Sequence, residues 1–163
     1  MDNAESAQPI DVKIRLATID DLSTIFHLGE KLFTPQEVSS LYRTWDEYEV
    51  THLFNTEPEY MLVADIEERV VGFLLGSVIE KHNTAWNYGH LVWLGIEPEV
   101  SRQGIASQLF ERFRDLVQEA GVRMLLVDTQ ADNDQALRFF EGKGFTNPID
   151  HVYLTLNLET TAS

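Results

Sequence analysis

The sequence predicts a mixed α/β domain, a central sheet of about seven strands with helices on both faces. Three observations carry that prediction. Apolar residues fall into segments of period two and segments of helical period, in the order β-α-α-β-β-β-α-β-α-β-β. Residues 86–129 form a strand–helix–strand unit, which demands parallel neighbours joined by a right-handed crossover. The earlier strands are joined by turns short enough for antiparallel hairpins. With 163 residues, 44% of them hydrophobic, the chain is sized for one domain with a real core. That domain is expected over residues 12–158, between tails at 1–11 and 159–163.

Val12 to Ala17 alternates and reads as a strand. Thr18, with Asp21 three places on, makes a capping box for a helix whose stripe is Leu22, Ile25, Phe26, Gly29 and Leu32. A second helix is expected from Thr34, with Pro35 in its first turn. Val38, Leu41, Tyr42, Trp45 and Tyr48 would be its apolar stripe, either packed in the core or lining a pocket. Glu59 to Ile66 and Val70 to Lys81 read as strands joined by the turn Glu67-Glu68-Arg69. In the second of these both alternating sets are apolar or small, the mark of a strand covered on both faces.

Trp86 to Ile96 is a long strand, and a helix over Gly104 to Ala120 follows it, with Ile105, Leu109, Phe113, Leu116 and Val117 inward. Gly121 ends that helix. Val122 to Thr129 reads as a buried strand and Asn133 to Lys143 as a short helix closed by Gly144. Phe145 starts a short strand, Asn147-Pro148 turns, and Val152 to Leu158 alternates as a last strand.

Charge and composition narrow the function. Twelve Lys and Arg face 27 Asp and Glu, a net charge of −15. That field repels nucleic acid and anionic membranes and favours a cationic substrate. With no cysteine, disulfides, thiolate zinc sites and a Cys nucleophile are excluded. The five histidines show no metal-ligand spacing, and no metal is expected. The first residues lack the basic and apolar regions of a signal peptide, and no apolar run reaches spanning length. A cytoplasmic protein is expected.

Residues 92–109, V-W-L-G-I-E-P-E-V-S-R-Q-G-I-A-S-Q-L, organise the functional reading. A strand runs into a polar loop, then Gly104 and Ala106 open a helix. The first-turn N–H groups of a helix lack intrahelical partners and sit at the positive end of its dipole. Small residues there let a phosphate approach the backbone. One Gly-x-Ala alone is equally an ordinary strand–loop–helix connection. It lacks the G-x-G-x-x-G of a dinucleotide fold and follows a late strand, which argues against that class.

Two segments change the balance. E97-P-E-V-S-R-Q-G-I-A106 resembles the acyl-CoA pyrophosphate loop of the GNAT superfamily of N-acyltransferases, and N133-D-Q-A-L-R-F-F-E-G-K-G-F145 is similar to that family's Asn-x-x-Ala-x-x-Phe-Tyr-x-x-x-Gly-Phe segment. Both occur in order, with one strand between them. The resemblance implies a GNAT-like fold with a splayed parallel strand pair, and acetyl-CoA as co-substrate. It places the pyrophosphate on N–H groups of Arg102, Gln103, Gly104, Ile105 and Ala106. It gives Leu94 and Ile96 backbone contacts to the pantetheine arm, with the Leu94 N–H as oxyanion donor. Asn133 and Phe140 match positions beside the cofactor, and Asn133 would also cap its helix. Two residues depart from the pattern. Ser101 replaces the usual Arg or Gln, and Phe140 replaces a Tyr that protonates the leaving thiolate.

An amine must lose a proton to attack a thioester. Two residues match family positions for the base. One is His90, since imidazole is an ordinary choice of base, and it reads equally as a packed strand histidine. Asp128 sits in the apolar run L-L-V-D-T and reads as base, amine ligand or structural partner of an Arg. Tyr88 and Tyr153 are weaker candidates for a proton donor, and His151 with Tyr153 for the acceptor site. The function implied is acetyl transfer from acetyl-CoA to a primary amine, either a small molecule or a peptide N-terminus. A non-catalytic acyl-CoA-binding regulatory module is the alternative. A homodimer is a further expectation to test.

Overall fold

The computed structural model describes residues 10–34, 44–81 and 86–159. The described residues divide into two compact units, one of residues 10–34, 44–81 and 86–127 and one of residues 128–159.

In the first unit five strands form one mixed sheet in chain order: β1 (Lys13–Leu16), β2 (Met61–Ile66), β3 (Arg69–Glu80), β4 (Asn87–Ile96) and β5 (Met124–Val127). The first four pair antiparallel, and β5 pairs parallel with β4. That parallel pair is joined through α3 (Ile105–Glu119), as the strand–helix–strand reading requires. The β2–β3 hairpin closes through Glu67 and Glu68, both at positive φ, the backbone a two-residue hairpin loop demands.

The sheet is covered on both sides. On one side Met61, Val63, Phe73, Leu75 and Trp93 share a core with Ile25 of α1 (Leu22–Phe33) and with Val50 and Leu53 of α2 (Glu47–Thr56). On the other, α3 packs so closely that a Cβ at Gly76 would lie 2.2 Å from the Phe113 ring. All of β3 from Val71 to Gly76 is buried, as expected of a strand with apolar residues at both alternating sets.

The α1 start is tied down by charge. The expected capping box between Thr18 and Asp21 is present, and in it the Asp21 carboxylate accepts from the Thr18 N–H at 2.7 Å. It also accepts twice from the Arg15 guanidinium, at 2.7 and 3.0 Å, while the Arg15 Nε donates to Asp65 at 3.2 Å.

Several expectations need correction. The sheet has five strands among the described residues, not about seven. Phe145 and Val152 to Leu158 form no strand, and Val152, Leu154, Leu156 and Leu158 are solvent-exposed. Alternation marks a surface that wants a partner, and does not itself supply one. The expected buried strand at Val122 to Thr129 shortens to β5, an edge strand with Met124 and Leu126 exposed. The first residues of the Glu59 to Ile66 segment belong to a 3-10 turn, Pro58–Tyr60. The helix expected from Thr34 falls largely on residues 35–43, outside the described residues. Trp45 is buried ahead of α2 rather than in it, and Tyr48, inside α2, is exposed. Asp46 caps α2 by accepting from the Glu49 N–H, a start that the sequence reading passed over in favour of Pro35.

The second unit holds α4 (Asp134–Gly142). Asn133 caps it, its side-chain oxygen accepting from the Ala136 N–H at 3.2 Å. Phe140 is buried and meets Phe139 and Phe145 edge-on, at 5.2 and 5.4 Å between ring centres.

Candidate active site

The site grows from one irregularity in β4. Leu75 pairs with Trp93, but the next residue, Gly76, pairs with Leu91, so Val92 is an extra residue on β4. Such a bulge bends the strand that carries it and raises its twist. The pairing with β5 runs from Tyr88 with Met124 to Leu91 with Val127, and ends where the bulge begins. β4 continues to Ile96 beyond the last β5 partner.

The direction of the backbone groups on that free stretch follows from one hydrogen bond. The Glu97 N–H donates to the Val71 carbonyl at 2.8 Å, toward β3. Backbone polar groups alternate sides along a strand. Gly95 therefore also points to β3, and Leu94 and Ile96 turn their N–H and C=O groups to the opposite, open edge. Strand groups of this kind, without a partner strand among the described residues, are a template for an extended amide-bearing ligand.

The loop that follows is wound tightly. A 3-10 turn spans Pro98–Val100, the Ser101 N–H donates to the Pro98 carbonyl, and the Ser101 hydroxyl donates to the same oxygen at 2.9 Å. Arg102 lies at φ 65° and Gly104 at φ 77°. A Cβ at Gly104 would meet nothing within 4 Å, so the space over the start of α3 is open. A non-glycine residue at that φ is strained, which explains the glycine. The first N–H groups of α3, which begins at Ile105, have no intrahelical acceptor.

Charges frame the loop. Arg69 lies 3.1 Å from Glu97, and Lys31 of α1 lies 3.6 Å from Glu99. The Glu99 carboxyl sits below its ordinary range, held there by a hydrogen bond from its own backbone, with Lys31 and Arg69 adding to the effect. Neither pair was anticipated from the sequence, because residues 31, 69, 97 and 99 are brought together only by the pairing of β3 with β4 and the packing of α1.

The remaining expected residues divide between the units. His90 is half-buried on β4, paired with Ser77 on one side and Leu126 on the other. It shares a strand with Leu94 and Ile96. Asp128 is half-buried and directly follows Val127, the last residue of β5. Asp128 belongs to the second unit, as do Asn133 and Phe140. Tyr88 is half-buried at the start of β4, while His151 and Tyr153 are exposed. Among the described residues no group of three or more His, Asp or Glu is gathered to hold a metal, and no helix is long and apolar enough to cross a membrane.

Comparison with known proteins matches this architecture. The model of the acetyltransferase (GNAT) family matches residues 25–145. The chain belongs to the GNAT acetyltransferase family. It is 27% identical over 105 residues to N-alpha-acetyltransferase 30 of Schizosaccharomyces pombe, covering 64% of this chain and 69% of that protein. It is 24% identical over 132 residues to an acetyltransferase of Pectobacterium atrosepticum, 80% of this chain and 84% of that one. Among solved structures, an aminoglycoside acetyltransferase from an uncultured soil metagenomic sample superposes with a TM-score of 0.71 at 24% identity, covering 90% of this chain and 97% of that one. The NatC complex bound to Gag peptide and CoA superposes with a TM-score of 0.73 at 20% identity, covering 85% and 87%. At these identities the two structures show the shared fold. The expected enzyme class, an acetyltransferase of GNAT type, therefore stands.

Proposed function

We propose that this GNAT protein transfers the acetyl group of acetyl-CoA to a primary amine by direct attack. The observation that carries the reading is the continuity of the open β4 edge with the α3 start. Amide groups at Leu94 and Ile96 and the unfilled space over Gly104 follow one another along a single stretch of chain. An extended pantetheine arm ending in a pyrophosphate matches that sequence of donors. The fit is supported at both ends. The strand edge offers hydrogen bonds to amides, and the helix start offers N–H groups and a positive dipole to phosphate.

Acetyl-CoA supplies an activated thioester, and the chain's own groups do the rest. The N–H groups of Arg102 to Ala106, with the Arg102 side chain, hold the phosphates. Leu94 and Ile96 align the arm, and the Leu94 N–H steadies the carbonyl oxygen as it gains charge. The acceptor nitrogen bonds to the carbonyl carbon, the carbon–sulfur bond breaks, and His90 or Asp128 takes the ammonium proton, directly or through water. Phe140 cannot donate a proton to the departing sulfur. A thiol of pKa about 8.5 leaves readily enough for water to serve. Asn133 matches a cofactor-contacting position of the family by resemblance alone, and its side-chain oxygen caps α4.

The acceptor is read as a cationic small molecule or a peptide N-terminus. The net charge of −15 favours such a substrate. Relatives named for N-alpha-acetyl transfer and for aminoglycosides span both classes. The second reading, an acyl-CoA-binding module without turnover, is favoured by one observation. Phe140, at the usual position of the proton donor, is buried among Phe139 and Phe145.

A thiol-release assay with acetyl-CoA over peptide and small-amine panels separates them. Turnover with at least one amine, and a loss of about 100-fold or more in Asp128→Asn or His90→Ala, supports the enzyme. Stabilisation by CoA with no release across the panel supports the module.

A further inference from the structure

We propose that Arg69 and Lys31 are positioning residues for cofactor capture, because they neutralise the two carboxylates on the approach to the phosphate cradle. This inference rests on the acetyl-CoA reading above. The problem that it solves is electrostatic. A chain of net charge −15 must accept a polyanion, and the loop leading into the cradle carries Glu97 and Glu99. Glu97 and Glu99 stand seven and five residues before Gly104 in the loop that runs into α3, and charges in physiological salt act on one another over about 8 Å. Each is met by a cation from elsewhere in the fold. Arg69 reaches Glu97 at 3.1 Å from the start of β3, and Lys31 reaches Glu99 at 3.6 Å from the last turn of α1.

Stability does not explain the pairs. Arg69 is 61% exposed, and Lys31 and Glu99 are 54% and 64% exposed, and ion pairs so wet contribute little to folding. What they do change is the local field. Glu97 itself is fixed, only 20% exposed and anchored through its N–H to the Val71 carbonyl, so its charge stays beside the loop. Removing the cations would leave the Glu97 and Glu99 carboxylates uncompensated in the loop that leads to the cradle.

The test is calorimetric binding of CoA to the full chain at low and moderate salt. Three proteins are compared: wild type, the double variant Arg69→Gln/Lys31→Gln, and the quadruple variant that adds Glu97→Gln/Glu99→Gln. The double variant should bind more weakly by about two- to fourfold per cation removed, and the deficit should shrink as salt rises. The quadruple variant should regain wild-type affinity, because the negative charges are gone with their partners. A quadruple variant as weak as the double would overturn the proposal, since the pairs would then merely hold the loop's shape. So would a double variant that binds like wild type. Absence of CoA binding by the wild type is a different result. It would remove the acetyl-CoA reading itself, and this inference with it.

Discussion

Gly29 and Trp45 are fitted to one another: a Cβ on Gly29 would lie 2.1 Å from Cε2 and Cζ2 of the indole. The ring cannot retreat. It stacks on Phe73 at 5.4 Å, meets Phe33 and Trp93 edge-on, and donates its Nε1–H to the Phe26 carbonyl at 2.9 Å. Alanine in place of a helical glycine ordinarily stabilises by about 1 kcal/mol. Here the overpacking costs about 1–3 kcal/mol, and more where nothing can shift. Gly29→Ala should therefore lower the melting temperature despite the better helix former. A rise in melting temperature would show that Trp45 is not locked against α1.

Gly76 and Phe113 make the same fit on the other side of the sheet, at 2.2 Å from Cε2. Gly76→Ala should destabilise, and Phe113→Leu in the same chain should recover part of the loss, because the smaller side chain vacates the clash. A double-mutant cycle by chemical denaturation measures the coupling. Strictly additive effects would contradict the contact.

These contacts also mark what the sequence could tell and what it could not. Strand and helix periods were readable wherever a segment was buried on a defined side, as in β3, β4 and α3. Gly29, a member of the α1 apolar stripe, carried no sign that it makes room for Trp45, sixteen positions away. The segment from Val152 to Leu158 failed for the opposite reason. Its alternation is clear, but local pattern does not decide whether a partner strand exists. The candidate site was legible in part. Gly104 and Ala106 stood out from the physics of helix starts, and Leu94 and Ile96 only through resemblance to a family. That their amides face an open edge depends on the bulge at Val92, and nothing in V-W-L-G-I announces a bulge. The pairing of Arg69 with Glu97 depends on strand register and was invisible for that reason.

Acid sensitivity should trace to Asp21. Hydrogen bonds from Arg15 hold its carboxyl below the ordinary range, with the Thr18 N–H helping and burial opposing. A depressed folded-state pKa gives stability that is present above the unfolded value and is lost as pH falls through the folded one. Asp21→Asn should thus destabilise at neutral pH by about 1–3 kcal/mol, the cost of replacing a charged acceptor of the half-buried Arg15 by a neutral one while Asp65 remains. The gap from wild type should narrow as pH drops below the ordinary carboxylate range. Parallel denaturation profiles of the two proteins down to that pH would contradict the assignment.

Ser101 should contribute little to cofactor binding. Its hydroxyl is committed to the Pro98 carbonyl within the loop. Ser101→Ala should shift the dissociation constant for acetyl-CoA by less than about threefold, within the worth of one exposed neutral hydrogen bond. A tenfold loss measured by calorimetry would show that the side chain reaches the phosphates.

The central claim is that acetyl-CoA lies along β4 with its phosphates over Gly104. Thermal unfolding of wild type and Gly104→Val, with and without saturating acetyl-CoA, tests it most directly. Binding to the folded state raises the melting temperature by mass action, by about 2.7 kcal/mol of stability at a hundredfold excess over the dissociation constant. The valine Cβ would enter open space, so the fold should survive with a modest loss from the positive φ. Valine would at the same time fill the place of the phosphates. The account predicts a clear upward shift for wild type and none for Gly104→Val. No shift in the wild type, or an equal shift in both proteins, would contradict it.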